Sequence, residues 1–346
     1  MASPAKSLRF GFTLSNRGIM TGASSLQDIM DLVDEAESAE VWESVWVGDS
    51  ILAKPRVDSI CLLSAIAART SRLKLGVACF ASAPLRHPVL LAYQWASLDL
   101  LSGGRTIFVA CMGTPGVGGG DFRREYAAFG VPPQERAARM EDAVNVLRLS
   151  SGGAISYHSE HLDLDGVNIE PRPIQDPVPI WITSNPELTK PRNIERGLRR
   201  VARLGDGWMV GSHTPDGVAK LSAQLDEYLE EERGAVPPDF VRSLYYNVSL
   251  DGDPAKARDE AARFLSAYYG PEFMEAELRR TVAFGDAESC QDKLRAYIEA
   301  GINYILLRIT SYDQIAQFRA VTENVVHPLL AEYGQRAVAV GNVQAD

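Results

Sequence analysis

Cysteine is scarce: Cys61, Cys79, Cys111 and Cys290 are the only four in 346 residues, and none stands at metal-ligand spacing from another. A disulfide framework and a zinc scaffold are thereby disfavoured, and the pattern is that of reduced thiols in a cytoplasmic protein. Long hydrophobic runs are also missing. None approaches the ~20 residues a membrane-spanning helix needs, and Leu8 to Leu14 is too short and too glycine-interrupted for a signal-peptide core. Positive charge is in deficit, with 35 Lys and Arg against 45 Asp and Glu, a net charge of −10. That balance argues against a general nucleic-acid binder. Three signatures are absent as well: His-x-His or His-Glu-x-x-His, Gly-x-Ser-x-Gly, and Gly-x-Gly-x-x-Gly between an early strand and helix. Their absence disfavours a metal hydrolase barrel, a serine hydrolase and a classical NAD dehydrogenase.

What is present is a globular composition, 46% hydrophobic and 23% charged, and a regular alternation of short apolar runs with longer amphipathic stretches. This alternation predicts βα units around a parallel sheet. Strands are expected at Leu8–Leu14, Ser44–Gly48, Leu73–Phe80, Thr106–Met112, Val178–Thr183, Gly207–Val210, Val241–Ser249 and Asn303–Ile309. A helix is expected after each, the last at Tyr312–Val326, so that His327 ends it. Eight such units close into a packed barrel. The expected fold is therefore α/β, a single (β/α)8 TIM barrel over residues 1–346, with insertions after strands four and seven. Residues 113–132 are expected to form a glycine-rich mobile loop, 154–165 a small hairpin, and 269–285 an insertion before the last βα unit.

Chemistry in such a barrel sits beyond the C-terminal ends of the strands. Those ends carry Ser15 and Asn16, Asp49 and Ser50, Cys79 to Ser82, Cys111 to Thr114, Thr183 to Asn185, His213, Asn247, and Arg308 to Ser311. An inward-facing Arg308 is costly unless paired, which makes it a candidate for meeting an anionic substrate or cofactor group. His213 follows strand six and is either a mouth residue or a solvated loop histidine. The other four histidines read as structural. Trp46, Trp181 and Trp208 fall on strands and read as core, and Glu227 with Glu230 to Glu232 as a solvated helix face.

Several stretches in order resemble the bacterial luciferase-like family of flavin-dependent oxidoreductases. They are Val45-Trp46-Val47-Gly48-Asp49, Thr70-Ser71-Arg72-Leu73-Lys74-Leu75-Gly76, Arg86-His87-Pro88, Ser97-Leu98-Asp99-Leu100-Leu101-Ser102-Gly103-Gly104-Arg105 and Ala202-Arg203-Leu204-Gly205-Asp206-Gly207-Trp208. The similarity runs from about Leu8 to Leu330. It implies an eight-stranded barrel, usually a homodimer, holding FMN or the deazaflavin F420 at the mouth.

Carried over residue by residue, the resemblance gives Thr183, Ser184 and Asn185 as a phosphate cradle. Hydroxyls and free N–H groups before a helix suit an anion, and Lys190 and Arg192 would add positive charge. The alternative is a plain strand-to-helix turn. Met112 stands where bacterial luciferase has a phosphate-gripping Arg. Ala78-Cys79 matches the family's non-proline cis peptide against the flavin, with Ala81 beside it, and Cys111 matches the thiol near the ring. Either cysteine alone also fits core packing. Asp49 stands where luciferase carries its catalytic His pair and where F420-dependent relatives commonly carry an Asp, so it is expected to bind substrate or flavin ring donors, or to relay a proton if burial raises its pKa. The expected catalytic residues are Asp49, Cys111 and Arg308.

The resemblance implies a monooxygenase in which reduced FMN, supplied in trans by a separate NAD(P)H:flavin reductase, reacts with O2 to give a C4a-peroxyflavin that oxygenates a small organic substrate. The alternative within the fold is an F420-dependent hydride-transfer oxidoreductase. The alternative outside catalysis is a silent flavin-binding relative. Gly113-Thr114-Pro115-Gly116 lacks the acidic residue that F420-dependent glucose-6-phosphate dehydrogenases carry after strand four.

Overall fold

The computed structural model describes residues 7–113, 121–270 and 274–341. Its elements in chain order begin with β1 (Arg9–Thr13), α1 (Gly18–Thr21), α2 (Leu26–Ser38), β2 (Trp42–Val47), α3 (Ser59–Arg69), β3 (Lys74–Val77), α4 (Pro88–Ser102) and β4 (Thr106–Ala110). Next come α5 (Phe122–Ala128), α6 (Arg136–Leu149), the hairpin β5 (Ile155–His158) and β6 (Asp163–Val167), β7 (Ile180–Thr183), α7 (Pro191–Leu204), β8 (Gly207–Val210) and α8 (Pro215–Arg233). The chain then forms β9 (Val241–Leu250), α9 (Pro254–Tyr269), α10 (Glu275–Thr281), β10 (Val282–Gly285), α11 (Ala287–Glu299), β11 (Tyr304–Ile309), α12 (Gln314–Val321) and α13 (His327–Gly341). Helix starts follow local chemistry. Asp58, Thr214, Asp253, Asp286 and Asp313 each accept a backbone N–H from the turn they cap, and proline opens α4, α7, α8 and α9, where no donor is needed.

Eight parallel strands close a ring in the order β9-β11-β1-β2-β3-β4-β7-β8, with β8 returning to β9. The expected TIM barrel is thus the observed fold. Its interior is filled by Trp46, Trp181, Tyr304, Ile107, Val109, Met209 and Leu306. Glycines make the room: a Cβ at Gly76 would stand 2.1 Å from the Trp46 ring, and one at Gly11 would stand 2.4 Å from its Nε1. Trp46 and Trp181 pack 5.2 Å apart, and Ser44 Oγ accepts from both Trp46 Nε1 and Tyr304 OH at 2.6 and 2.7 Å. The outer strand faces and the helices form the larger apolar layer. No described helix is long and apolar enough to cross a membrane.

Four expectations are corrected. Within 113–132, residues 114–120 lie outside the described residues, but 122–128 form α5 rather than loop. Asp121 caps it, and Phe122, Glu125 and Tyr126 bury one face, a period hidden by the neighbouring glycines. Residues 282–285 of the 269–285 insertion are a ninth strand, paired outside the ring to the C-terminal half of the unusually long β9. Strand two begins at Trp42, two residues early, because Trp42 buries beneath Phe318 and Phe12. The last helix does not end at Val326: a π turn at Thr322–Val326 carries the chain straight on into α13, so His327 continues a helix rather than ending one.

Candidate active site at the barrel mouth

Two clefts lie at opposite ends of the barrel. The one at the N-terminal end, about 380 Å³, is lined by Arg9, Lys74, Arg105, Gln175, Arg233 and Tyr304 among others. Its charges are satisfied within the fold: Arg105 donates to the carbonyls of Ser102, Leu73, Ala67 and Thr70, Arg233 to those of Ala202 and Gly205, and Lys74 pairs with Glu43. The other, about 220 Å³, opens at the C-terminal ends of the strands, where polar groups remain without partners. Size alone would favour the first cleft; the unsatisfied groups favour the second.

One wall of the mouth gathers Asp49, Ala78, Cys79, Ala81, Cys111, Thr183 and Asn185 from β2, β3, β4 and β7. The Ala78–Cys79 peptide is cis, at the pair read from the sequence. The Cys79 and Cys111 thiols interact. That interaction, with backbone N–H groups at Gly113 and Met112, lowers the Cys111 pKa against the effect of burial, while the same contact and burial push Cys79 well up. Thr183 Oγ1 is buried and makes no hydrogen bond of normal geometry, though it lies against the Cys79 thiol and offsets part of that upward shift. Gly113 turns the chain out of β4 with φ 63°, a conformation a side chain resists.

Asp49 is committed. Its Oδ2 accepts from Ser82 N at 2.7 Å, its Oδ1 accepts from Ser59 Oγ at 2.9 Å, and Arg86 lies 3.8 Å away. It therefore anchors the turn that follows Cys79 while still lining the mouth. Asn185 Oδ1 accepts from Gly211 N at 2.8 Å, shaping the turn after β8. Ser184 does not line the cleft: its Oγ sits 2.5 Å from where a Cβ of Gly197 would stand, turned toward α7. Its carbonyl accepts from Trp208 Nε1. Residues alternate along a strand, so Thr183 and Asn185 facing the mouth send Ser184 the other way. Lys190 pairs with Glu187, and neither it nor Arg192 lines the cleft. His213 lies outside it too, with its carbonyl accepting from Tyr297 OH. Burial, helped by Arg280, lowers its pKa.

The facing wall comes from β9, β11 and the loops after β1 and β2. Arg308 is 1% exposed; its Nη1 donates to Tyr269 OH at 2.6 Å, and its guanidinium lies 4.4 Å from the Tyr268 ring centroid and 5.0 Å from that of Tyr245. Lys54 Nζ sits 4.4 Å from the Tyr269 ring and 5.4 Å from that of Phe122. Arg56 donates to Tyr268 OH at 3.3 Å, and Arg17, just behind, donates to Tyr268 O. Burial first, then repulsion from Arg56, Arg17 and Arg308, brings the Lys54 pKa down to about 7. Burial raises the Tyr268 hydroxyl, but Arg308, Arg56 and Arg17 outweigh it and leave a net lowering.

The luciferase-like monooxygenase family matches this chain across residues 8–304. The chain belongs to that family. An uncharacterized protein of Mycobacterium tuberculosis is 32% identical over 200 residues, 58% of this chain and 62% of that protein, so the chain aligns with under two thirds of that relative. The F420-dependent glucose-6-phosphate dehydrogenase of Amycolatopsis mediterranei is 26% identical, with 87% of this chain and 95% of that protein covered. The crystal structure of a monooxygenase from Streptomyces bottropensis superposes with a TM-score of 0.73 at 18% identity, covering 93% of this chain and all of that one. This last likeness is one of fold.

Against this family background the strand-end rule brought together eight residues that do line the mouth, Arg308 among them, and missed six others that build the facing wall. Arg17, Lys54 and Arg56 lie in loops past β1 and β2, a few residues beyond the strand ends. Tyr245 lies on β9, and Tyr268 and Tyr269 end α9. A signal existed for the loop residues: extending the search along each C-terminal loop rather than stopping at its first two positions finds all three cations.

Proposed function

We propose that this chain is a flavin-dependent monooxygenase that takes reduced FMN from a separate NAD(P)H:flavin reductase and uses O2 to oxygenate a small organic substrate. The observation that carries this reading is a mouth with a donor in waiting: the buried Thr183 hydroxyl, whose side-chain neighbour is the weakly accepting Cys79 thiol, on the same wall as Cys111. Such a group fits a polar ring edge, since a buried hydroxyl without a good partner costs about 1–3 kcal/mol until a ligand satisfies it. Ala78, Cys79, Ala81, Cys111 and Thr183 would hold the ring, and Asn185 with Gly211 and Ser212 its phosphate-bearing tail.

Bound reduced flavin supplies the electrons and the site of oxygen activation. The protein's part is orientation, exclusion of water and proton control. Asp49 acts as a positioning residue that fixes the Ser82 turn. Cys111 tunes the ring's surroundings, and Lys54 Nζ, titrating near neutrality, is suited to hold or release a proton beside the substrate.

A second reading, hydride transfer with F420, is supported by the Amycolatopsis relative that aligns with 87% of this chain. The missing acidic residue after β4 speaks against carrying over its glucose-6-phosphate substrate. Assembly as a homodimer is supported by α4, whose exposed side chains Leu90, Tyr93, Leu100 and Leu101 are apolar.

The deciding experiment is a parallel anaerobic titration with reduced FMN and with F420, followed by admission of oxygen. Tight binding of reduced FMN with an oxygen-dependent transient absorbance is expected. Preference for F420 with no such transient would install the second reading.

A further inference from the structure

We propose that the wall facing the cofactor site is an anion-binding subsite and that the substrate carries a carboxylate or phosphate group seated among Arg308, Arg56 and Lys54. The inference rests on the functional reading above for which side of the mouth the cofactor takes. Its own basis is an imbalance of charge. In a chain with net charge −10, three cations line one wall of the cleft and a fourth, Arg17, backs it.

Among the described residues none of Arg17, Arg56 and Arg308 has a carboxylate within salt-bridge range, whereas sixteen other arginines do, from Arg9 with Glu43 to Arg319 with Glu35. The carboxylates nearest this wall are already used. Asp49 is held by Ser59, Ser82 and Arg86. Glu125 accepts from the backbone of Ile51 and Leu52, and Glu260 accepts from Ser311 and Tyr312 N. Arg308, buried and always charged, still has an Nε with no acceptor, as does Arg17.

Tyrosine faces soften this cost through cation–π contact but supply no countercharge. Like charges so placed repel one another, and an incoming anion relieves that repulsion. Position completes the argument. In the ring order, β9, β11 and β1 lie across the barrel from β3, β4 and β7, so an anionic group on the first wall would hold the remainder of a small substrate over a ring on the second. Lys54, depressed toward neutrality by its cationic neighbours, would regain its proton as the anion arrives.

The test is calorimetric titration of the full-length protein with benzoate and with inorganic phosphate at pH 8, in two buffers of different ionisation enthalpy. It is done first without cofactor and then with saturating reduced FMN or F420. At least one of the two anions is expected to bind with uptake of up to one proton, and to bind within about threefold as tightly when cofactor is present. Arg308→Gln and the less buried Arg56→Gln should each weaken it tenfold or more. Lys54→Met should abolish the proton uptake; folding of every variant is checked by circular dichroism, and Arg56→Gln carries the test should Arg308→Gln not fold.

Failure of both anions to bind, unchanged affinity in Arg56→Gln, or competitive displacement of the anion by cofactor would overturn the proposal. Displacement would mean that the wall holds the cofactor's own phosphate. Anion binding that depends on these residues in a protein that takes up neither cofactor would uphold the subsite while refuting the flavin reading.

Discussion

The two ends of the barrel use the same residue type in opposite ways. At the N-terminal end Arg105 spends its guanidinium on four backbone carbonyls and the Thr70 hydroxyl, and Arg72 spends its own on the carbonyls of Trp42, Ala36 and Glu37. These arginines cap helix and strand ends that would otherwise leave carbonyls unpaired. At the C-terminal mouth Arg308 is more deeply buried, yet it makes one hydrogen bond to a tyrosine and leans on three aromatic rings. The difference teaches where to look for a ligand: a large cleft with satisfied charges is architecture, and a smaller one with unsatisfied charges is a site.

Substitution should separate the two ends, beginning with the largest effect. Arg105→Ala removes charged donors from Ser102, Leu73, Ala67 and Thr70 and should cost about 3 kcal/mol or more in urea unfolding, with cofactor binding at the mouth unchanged; a neutral result would erase the contrast. The pH dependence of stability comes next. Lys54 has a folded pKa of about 7 against an ordinary 10.5, so between those values the unfolded chain binds the proton that the folded one releases. Stability contributed at this residue is therefore lowest below pH 7 and rises toward pH 10.5. Wild type should gain urea midpoint from pH 6.5 to pH 9.5 relative to Lys54→Met; parallel curves would contradict the assignment.

Smaller still, Arg308→Met exchanges a buried, under-partnered charge for an apolar chain of similar length and should leave stability within about 1 kcal/mol or raise it. Its thermal midpoint checks this, a marked fall being the contrary result. Least of all, Gly48→Ala puts a Cβ 2.1 Å from Arg56 Nη1, the mobile end of a long side chain. Unfolding should change by under about 0.5 kcal/mol, while anion affinity, read by the same calorimetry, should fall a few-fold as the guanidinium swings aside.

The barrel was legible because each strand is a short apolar run and each helix has its own cap and apolar face, so local pattern and closed topology agree. Boundaries held to a residue or two where such signals were clean, as in Gly207–Val210. They failed where one signal masked another: the glycines before Phe122 hid a helix, and the short Val282–Gly285 strand has too few residues to show a period.

The wall of Cys79, Cys111 and Thr183 was legible through resemblance and strand ends together, since all three stand at the mouth, and strand ends alone placed Arg308 on the wall facing it. Ser184 was misplaced because the two-residue alternation that carries Thr183 and Asn185 into the mouth carries it out. The anchored state of Asp49 was not legible at all, because Ser59 waits ten residues on at the start of α3 and Ser82 comes from the turn past β3 in the next βα unit. Nor was the tyrosine wall, for Tyr268 and Tyr269 reach the mouth from the end of a helix, a position that no strand-end rule surveys.

The central claim, that the cofactor lies against β3, β4 and β7 at the C-terminal mouth, is tested most directly by alkylation. Cys79 and Cys111 line that wall, Cys61 is exposed on α3, and Cys290 is buried away from it. The protein would be treated with iodoacetamide at pH 8 with and without saturating FMN or F420, and labelling of each cysteine read by peptide mass spectrometry. One cofactor is expected to suppress labelling of Cys111 and Cys79 while Cys61 reacts as before. Equal labelling of Cys111 with and without either cofactor, under conditions where binding is saturated, would contradict the claim.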